Sequence, residues 1–262
     1  MSASIDSFRA LHARATFVIP NAWDVGSARV LQVCGASAIA TTSSGFAASM
    51  GRGDQHITCG ELLAHVAALT AAVDIPVSVD AEYLYADDLP GVRETVRGLI
   101  DAGAAGFSIE DYDPIARTVI DPDRAAERVA AAVEEADGLV VTARAENPLY
   151  GAGDLDDTVR RLQLYREAGA DVLYAPGLQD LADIAAVVAA VTAPVNVLLL
   201  PQGPSVPELA GAGVRRVSVG GGLAWTAYGA LASAARELFT IGTSTFLDGA
   251  LDRDLRTRAF SG

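Results

Sequence analysis

The sequence contains no lysine and only two cysteines. All 19 basic residues of the 262-residue chain are arginines. A Schiff base and the phosphate grip of a P-loop both require a lysine amine, so lysine-dependent aldolases, pyridoxal enzymes and P-loop proteins are excluded. Cys34 and Cys59 are too few for a disulfide framework and form no CxxC pair. This cysteine usage predicts a reduced, cytoplasmic protein.

Excess positive charge and long apolar runs are also missing. The 33 acidic residues outnumber the basic ones and give a net charge of -14. Such a charge repels phosphate backbones and anionic lipid headgroups, so we expect neither a nucleic acid nor a membrane partner. No stretch reaches about 18 uninterrupted apolar residues, and no apolar signal-peptide segment follows Met1.

Eight short runs rich in Val, Ile and Ala recur along the chain, and their starts are about 28 residues apart, the size of one βα unit. They lack apolar/polar alternation, which is typical of parallel strands buried on both faces. We therefore predict a (β/α)8 TIM barrel, with a doubly wound open sheet as the alternative. The predicted strands are residues 16–20, 38–42, 77–81, 106–110, 140–144, 172–175, 195–199 and 214–219.

No linker or change of composition divides the chain, so residues 1–262 are predicted to form a single domain. Residues 224–262 extend beyond the eighth strand as a long helix followed by further apolar residues up to Phe260. An apolar extension of this kind covers either the bottom of its own barrel or a partner subunit.

Acidic residues stand at the ends of three predicted strands, with Asp80 and Glu82 at the third, Glu110 at the fourth and Glu146 just beyond the fifth. In a TIM barrel the active site lies at the carboxyl ends of the strands, where Asp80, Glu82 and Glu110 would converge. Such carboxylates repel one another unless a cation is present, and hard oxygen ligands favour Mg²⁺ or Mn²⁺. The alternative for any single acid is a helix N-cap, as expected for Asp87, Asp88 and Asp154.

Further candidate residues accompany these acids. Arg144 ends the fifth strand and could hold a substrate carboxylate bidentately, or instead form a buried salt bridge to Glu146 or Glu110. Ser43, Ser44 and Gly45 offer backbone amides to an anion. Trp23 follows the first strand and could form the floor of a pocket.

Several segments together resemble one known superfamily. The segments PNAWDVGSARVL, ATTSSGFAASMGRGD, PVSVDAE, GFSIED, TARAEN and PVNVLLLP occur in this order between Phe17 and Leu238. They resemble the isocitrate lyase and phosphoenolpyruvate mutase (phosphonomutase) superfamily. The resemblance implies a (β/α)8 barrel that binds Mg²⁺ and a 2-oxo acid or its enolate. It also implies a homodimer or homotetramer that exchanges its last helix.

The resemblance assigns roles to individual residues. Asp80 resembles the direct metal ligand, and Asp54, Glu82 and Glu110 resemble ligands that act through water. The Ser43, Ser44 and Gly45 loop resembles the one that holds the substrate carboxylate. Trp23, Arg144 and Asn196 match positions that line the pocket.

The departures from the family pattern concern the acid/base groups. Residues 111–118 lack the Cys, Lys and His of the isocitrate lyase loop, and the lysine and asparagine of the mutase gating loop are missing. The chain is therefore not predicted to be a true isocitrate lyase. A proton for an enolate must come from solvent or from Tyr83, Tyr85 or Tyr112. Arg144, Glu110 and Tyr83 are the predicted catalytic residues.

These observations predict a Mg²⁺-dependent carbon-carbon lyase for a small 2-oxo or 2-hydroxy dicarboxylate. It would act by C–C cleavage or decarboxylation through a metal-stabilised enolate. One alternative is a C–P enzyme resembling phosphoenolpyruvate mutase or phosphonopyruvate hydrolase. Another is a non-catalytic protein that binds oxo acids.

Overall fold

The computed structural model describes residues 2–260, in which helices and strands alternate. The strands are β1 Phe17–Ile19, β2 Asn21–Ala22, β3 Ile39–Thr41, β4 Val77–Asp80, β5 Gly106–Glu110, β6 Tyr112–Asp113, β7 Thr118–Val119, β8 Val140–Arg144, β9 Val172–Tyr174, β10 Val195–Leu198 and β11 Arg216–Ser218. The helices are α1 Ser2–His12, α2 Val25–Val33, α3 Ser43–Ser49, α4 Cys59–Thr70, α5 Leu89–Asp101, α6 Pro122–Glu135, α7 Leu155–Glu167, α8 Leu181–Ala190, α9 Val206–Gly211, α10 Gly222–Thr240 and α11 Arg253–Phe260, with a 3₁₀ helix at Thr245–Gly249.

The parallel sheet closes into a barrel through its first strand. Nine segments pair in the order β1-β11-β10-β9-β8-β5-β4-β3-β2. The two outer segments, β1 and β2, are consecutive in the chain and are separated only by Pro20. Proline has no backbone N–H, so it interrupts the ladder of what is otherwise one strand. The barrel therefore has eight strands, which confirms the predicted (β/α)8 fold and excludes the open sheet.

Local sequence signals set the ends of several elements. The predicted strands are confirmed to within two residues at each end. Gly103, Gly169 and Gly213 have φ angles of 82°, 101° and 88°, the left-handed conformation expected just after a helix. Asp88 and Asp154 each accept a backbone N–H at the start of the following helix. These two acids are therefore N-caps and are unavailable to a metal site.

Helix α1 plugs the amino-terminal end of the barrel. Phe8 and His12 are buried there, and the His12 ring packs edge-on against Phe8 and Phe17. Gly106 permits this approach, since a Cβ at that position would lie 2.5 Å from the Val140 carbonyl oxygen and 2.9 Å from the Phe8 ring. Helix α1 therefore covers the amino-terminal end of the barrel, opposite the carboxyl ends of its strands.

The carboxy-terminal segment leaves apolar residues on the surface. Helix α10 and the turn after it expose Leu231, Phe239 and Ile241, with Phe239 83% exposed. Helix α11 packs back on α2 of the same chain, where Arg258 donates to the Val33 carbonyl. Residues 261–262 of the predicted extension lie outside the described residues. The exchange of this segment between subunits stays a prediction. Within residues 2–260 no helix combines the length and apolar character needed to cross a membrane.

We expect this apolar surface to hold the subunits of a homodimer or homotetramer together. Light scattering should give a mass two or four times the 27.0 kDa of one chain. Phe239→Asp should shift the mass towards one chain, because it places a charge in the apolar contact. Ile115→Asp is the matched control, since Ile115 is 74% exposed in the turn between β6 and β7. A single-chain mass at micromolar concentration for the unsubstituted protein would contradict this expectation.

Candidate active site

A cavity of about 160 Å³ opens between the carboxyl ends of the barrel strands. Six of the residues singled out in the sequence line this cavity, namely Ser43, Ser44, Asp54, Asp80, Arg144 and Asn196. Five others, namely Trp23, Gly45, Glu82, Tyr83 and Glu110, are not part of the lining. The structure thus gathers the predicted metal and substrate residues at one end of the barrel, but only part of them face the open space.

Arg144 is the centre of an ion-pair cluster at the mouth. Its Nη1 lies 2.7 Å from Asp80 Oδ1, its Nη2 3.2 Å from Glu110 Oε2 and its Nε 2.7 Å from Glu146 Oε1. The salt-bridge alternative is therefore realised with both predicted partners and with Asp80 as well. Burial opposes the charge of Arg144, but the three carboxylates outweigh it and raise the pKa of Arg144 well above its usual value.

The cluster carries more negative than positive charge. Burial raises the pKa of Glu110 well above its usual range, although Arg144 opposes this rise. The pKa of Glu146 is raised for the same reason. At the exposed rim, partial burial and the charge of Asp80 raise the pKa of Asp54. One guanidinium does not balance these acids, so the mouth favours a further cation or bound protons.

Glu82 is a buried carboxylate whose two oxygens meet no donor in hydrogen-bonding geometry among residues 2–260, although the Tyr85 hydroxyl is close enough to lower the pKa of Glu82. The chain leaves the extended conformation after Asp80, and Glu82 itself has a φ of 49°. The alternation of side chains along β4 therefore does not place Glu82 beside Asp80 on the cavity wall. Both carboxylate oxygens are nevertheless buried and unpaired. Burial, followed by the charges of Asp80 and Asp54, raises the pKa of Glu82 to about 8.

The donor set at the mouth fits a hydrated divalent cation. Within residues 2–260 no group of three or more His, Cys, Asp or Glu side chains is arranged to hold a metal directly. Mg²⁺, however, keeps several waters and is bound directly by only one or two carboxylates. Unpaired carboxylate oxygens, as on Glu82, are the acceptors that such metal-bound waters need. The residues present therefore fit the predicted ion.

Residues 43–45, predicted to be a loop, form the first turn of helix α3, and two of their backbone amides are already hydrogen-bonded within the chain. The Ser43 amide donates to Asp80 Oδ2 at 3.0 Å, and the Gly45 amide donates to Thr42 Oγ1 at 3.3 Å. Trp23 lies behind this turn, since a Cβ on Gly45 would be 3.0 Å from Trp23 Cβ. Trp23 therefore supports the turn from outside and does not form the floor of the cavity.

The tyrosine inside the cavity is not one of the three expected from the sequence. Tyr83 and Tyr85 lie side by side outside the lining, and Tyr112 stacks on Tyr150 at 3.9 Å. Tyr174, the last residue of β9, lines the cavity with its ring centroid 5.4 Å from Arg144 Cζ. Burial raises the pKa of Tyr174 to about 12, although Arg144 opposes the rise.

Tyr174 could have been found from the sequence by the same reasoning that found Arg144. It is the last residue of the observed strand β9 and the third of the four residues predicted for the sixth strand, whereas Arg144 ends both the observed and the predicted fifth strand. Its hydroxyl keeps its proton at neutral pH, which makes it a proton donor inside the cavity.

The fold and site together define a barrel enzyme of the lyase and mutase class. The family model described as phosphoenolpyruvate phosphomutase matches residues 8–239. The chain belongs to this family, within the phosphoenolpyruvate mutase and isocitrate lyase superfamily.

Known proteins similar to the chain agree with this assignment. An uncharacterized protein of Mycobacterium tuberculosis H37Rv is 37% identical over 217 residues, which is 82% of this chain and 81% of that protein. An oxaloacetate decarboxylase of Bradyrhizobium diazoefficiens is 32% identical over 166 residues, 61% of this chain and 57% of that enzyme. A Burkholderia cenocepacia crystal structure, provisionally described as a lyase/mutase, has a TM-score of 0.94 and 49% identity, covering 99% of this chain and 97% of that chain.

Proposed function

We propose that the protein is a Mg²⁺- or Mn²⁺-dependent lyase for a small 2-oxo or 2-hydroxy dicarboxylate, with decarboxylation of an oxaloacetate-like compound as its reaction. The observation that supports this proposal most strongly is the cluster at the mouth. There Asp80 and Glu110 form ion pairs with Arg144, and the carboxylate oxygens of Glu82 have no hydrogen-bond donor among the described residues. The similarity to a protein named oxaloacetate decarboxylase supports this reaction among those open to the superfamily.

The mouth would hold the cation through one direct ligand, Asp80, and through water with Asp54, Glu82 and Glu110, as the resemblance implies. When bound, the cation supplies positive charge that stabilises an enolate oxygen. Arg144 adds to this stabilisation. Its guanidinium carries five N–H groups, of which one on Nε and one on Nη1 donate to Glu146 and Asp80, so N–H groups remain for the developing oxyanion.

Decarboxylation needs only one proton transfer from the protein. The C3–C4 bond of the oxo dicarboxylate breaks, CO₂ leaves, and the bonding electrons form the enolate of pyruvate. Carbon 3 then takes a proton, which the Tyr174 hydroxyl donates and recovers from solvent. No separate nucleophile is required.

Aldol-type cleavage of isocitrate would also need a base to start it. Of the two acids in residues 111–118, Asp111 is buried and bound by Arg161, by Tyr165 and by the Glu146 amide. Asp111 therefore has a structural role and is not available as a catalytic base. Asp113 accepts the backbone N–H groups of Ile115 and Ala116. We therefore expect negligible isocitrate cleavage. A C–P enzyme is less favoured. Its dianionic phosphonyl group would need positive charge, and three carboxylates already neutralise the charge of Arg144.

Metal binding tests the proposal directly. With pyruvate present, calorimetry should show Mg²⁺ binding with a Kd below about 1 mM, and Mg²⁺ should raise the thermal unfolding temperature. Asp80→Asn should abolish both effects by removing the direct ligand. Asp87→Asn is the matched control, because Asp87 is an exposed acid shortly after the same strand. Absence of Mg²⁺ binding to the unsubstituted protein would contradict the metal-dependent mechanism.

A further inference from the structure

A strained turn follows β4 and begins with Glu82. Residues 82–85 form this turn, and Glu82, Leu84 and Tyr85 have φ angles of 49°, 61° and 54°. Residues other than glycine adopt this left-handed conformation at an energetic cost, and they keep it only where the surrounding structure holds them. Three of the seven non-glycine residues with a positive φ within residues 2–260 lie in this one turn. The turn must therefore be held by its neighbours.

Two helices hold the middle of the turn through its backbone carbonyls. Arg128 of α6 donates an Nη2 N–H to the Tyr83 carbonyl at 2.6 Å, and the Thr95 hydroxyl of α5 donates to the Leu84 carbonyl at 2.9 Å. The Leu84 side chain is fully buried. Neither hydrogen bond uses a carboxylate of the mouth, so the fold holds the turn independently of a bound cation.

Arg128 is buried at a cost to stability. It is 3% exposed, and its Nε has no hydrogen-bond partner within the part of the chain that the structure describes. Burial, followed by the charge of Arg124, lowers the pKa of Arg128, and the attraction of Asp87 and Asp113 does not reverse this shift. A buried cation that is not fully compensated weakens a fold. Stability alone therefore does not explain Arg128, and its bond to the Tyr83 carbonyl indicates a role in the turn.

The position of Glu82 depends on this turn. The Glu82 carbonyl accepts the Glu110 amide at 3.0 Å, which fixes the start of the turn beside β5. Both carboxylate oxygens of Glu82 are buried and meet no donor in hydrogen-bonding geometry among the described residues. Burial without donors is costly for a carboxylate, so Glu82 would leave this position if the turn could relax. The hydrogen bonds to the next two carbonyls oppose that relaxation.

We propose that Arg128 and Thr95 are positioning residues for Glu82, because they hold the strained turn that keeps its carboxylate buried at the mouth. Neither Arg128 nor Thr95 is part of the cavity lining, so both act through the turn and not by contact with the substrate. The role of Glu82 towards a hydrated divalent cation rests on the proposed function. Loss of either hydrogen bond should let the turn relax and should weaken the site for the cation.

Calorimetric titration with Mg²⁺ in the presence of pyruvate tests the proposal. Arg128→Met keeps a long side chain without a hydrogen-bond donor. It should weaken Mg²⁺ binding at least about tenfold, the size typical for loss of a residue that orients a ligand. Without Mg²⁺, its thermal unfolding temperature should be no lower than that of the unsubstituted protein, because the variant removes a buried and poorly compensated charge. A weaker Mg²⁺ site in an equally stable protein is not expected from a packing defect.

Two further arginine variants show whether the hydrogen bond to the turn is responsible. Arg128→Lys keeps a charged donor and should recover part of the Mg²⁺ affinity. Arg93→Met is the matched control, because Arg93 of α5 donates to the Ala131 carbonyl and pairs with the exposed Glu134, away from the turn. It should bind Mg²⁺ as the unsubstituted protein does. Equal Mg²⁺ affinities in Arg128→Met and Arg93→Met would overturn the role of Arg128, whatever the change in stability.

Thr95→Val supplies a second test, including where Arg128→Met does not fold. It nearly keeps the volume of the side chain and removes the hydroxyl that donates to the Leu84 carbonyl. Mg²⁺ binding should weaken about fivefold, since one neutral hydrogen bond is lost. Unchanged Mg²⁺ affinity in a folded Thr95→Val variant would contradict the proposal.

The outcomes separate this inference from the proposed function. Pyruvate release from oxaloacetate together with unchanged Mg²⁺ affinity in Arg128→Met and Thr95→Val overturns the positioning role alone. Mg²⁺ binding that depends on Arg128 and Thr95, without turnover, supports the positioning role and contradicts the lyase. Absence of Mg²⁺ binding to the unsubstituted protein overturns both.

Discussion

Arg144→Ala is expected to lower kcat/KM for the oxo-acid substrate by about 30- to 1,000-fold, equivalent to about 2–4 kcal/mol of transition-state stabilisation. The substitution removes the N–H groups that would face the enolate oxygen. It also leaves Asp80 and Glu110 without the cation that now holds them. Most of the loss should appear in kcat, because Arg144 would stabilise charge that develops only as the enolate forms. Steady-state kinetics with oxaloacetate and Mg²⁺ measures both parameters.

Two further variants separate this effect from a general loss of structure. Arg97→Ala removes an exposed arginine that pairs with Glu135, and exposed pairs contribute little to stability. It should keep full activity. Arg144→Lys keeps the charge without the planar fork and should fall between the alanine variant and the unsubstituted protein. Unchanged kinetics in a folded Arg144→Ala variant would remove Arg144 from the mechanism.

Tyr174→Phe is expected to lower kcat by about 100-fold with little change in KM, the size typical for loss of a general acid. The change removes one hydroxyl group and keeps the ring beside Arg144. Rapid measurement of CO₂ and pyruvate should show release of CO₂ ahead of pyruvate, because the enolate would wait for a proton from solvent.

Tyr83→Phe is the matched control for this prediction. The sequence made Tyr83 a candidate acid, and the structure places it outside the cavity lining. Tyr83→Phe should therefore retain activity. A large loss in Tyr83→Phe with none in Tyr174→Phe would reverse the assignment of the proton donor.

The barrel was predictable because each βα unit carries its own local signals. Unbroken apolar runs marked the strands, and Gly103 and Gly169 marked the turns between helix and strand. The carboxyl ends of parallel strands meet at one rim, so the convergence of Asp80, Arg144 and Glu110 also followed from the sequence.

The orientation of individual side chains did not follow in the same way. The sequence prediction assumed that side chains alternate along β4 as far as Glu82, which would place Glu82 on the same side as Asp80. In the structure the backbone of Glu82 adopts the left-handed conformation, so the alternation ends before it. Trp23 faces the back of the helical turn at Gly45, a contact between two separate segments that no local pattern shows.

Arg216 lines the cavity and was not predicted to do so, for a different reason. Attention to strand ends overlooks a side chain that starts below the rim and reaches across the barrel to Thr142.

Pyruvate release from oxaloacetate tests the central claim most directly. The unsubstituted protein with Mg²⁺ should form pyruvate faster than Mg²⁺ alone. Excess EDTA and Asp80→Asn should each return the rate to that background, and isocitrate should give no glyoxylate. Pyruvate formation no faster than the protein-free background, or cleavage of isocitrate at ordinary enzyme rates, would contradict the assignment as a metal-dependent oxo-acid lyase.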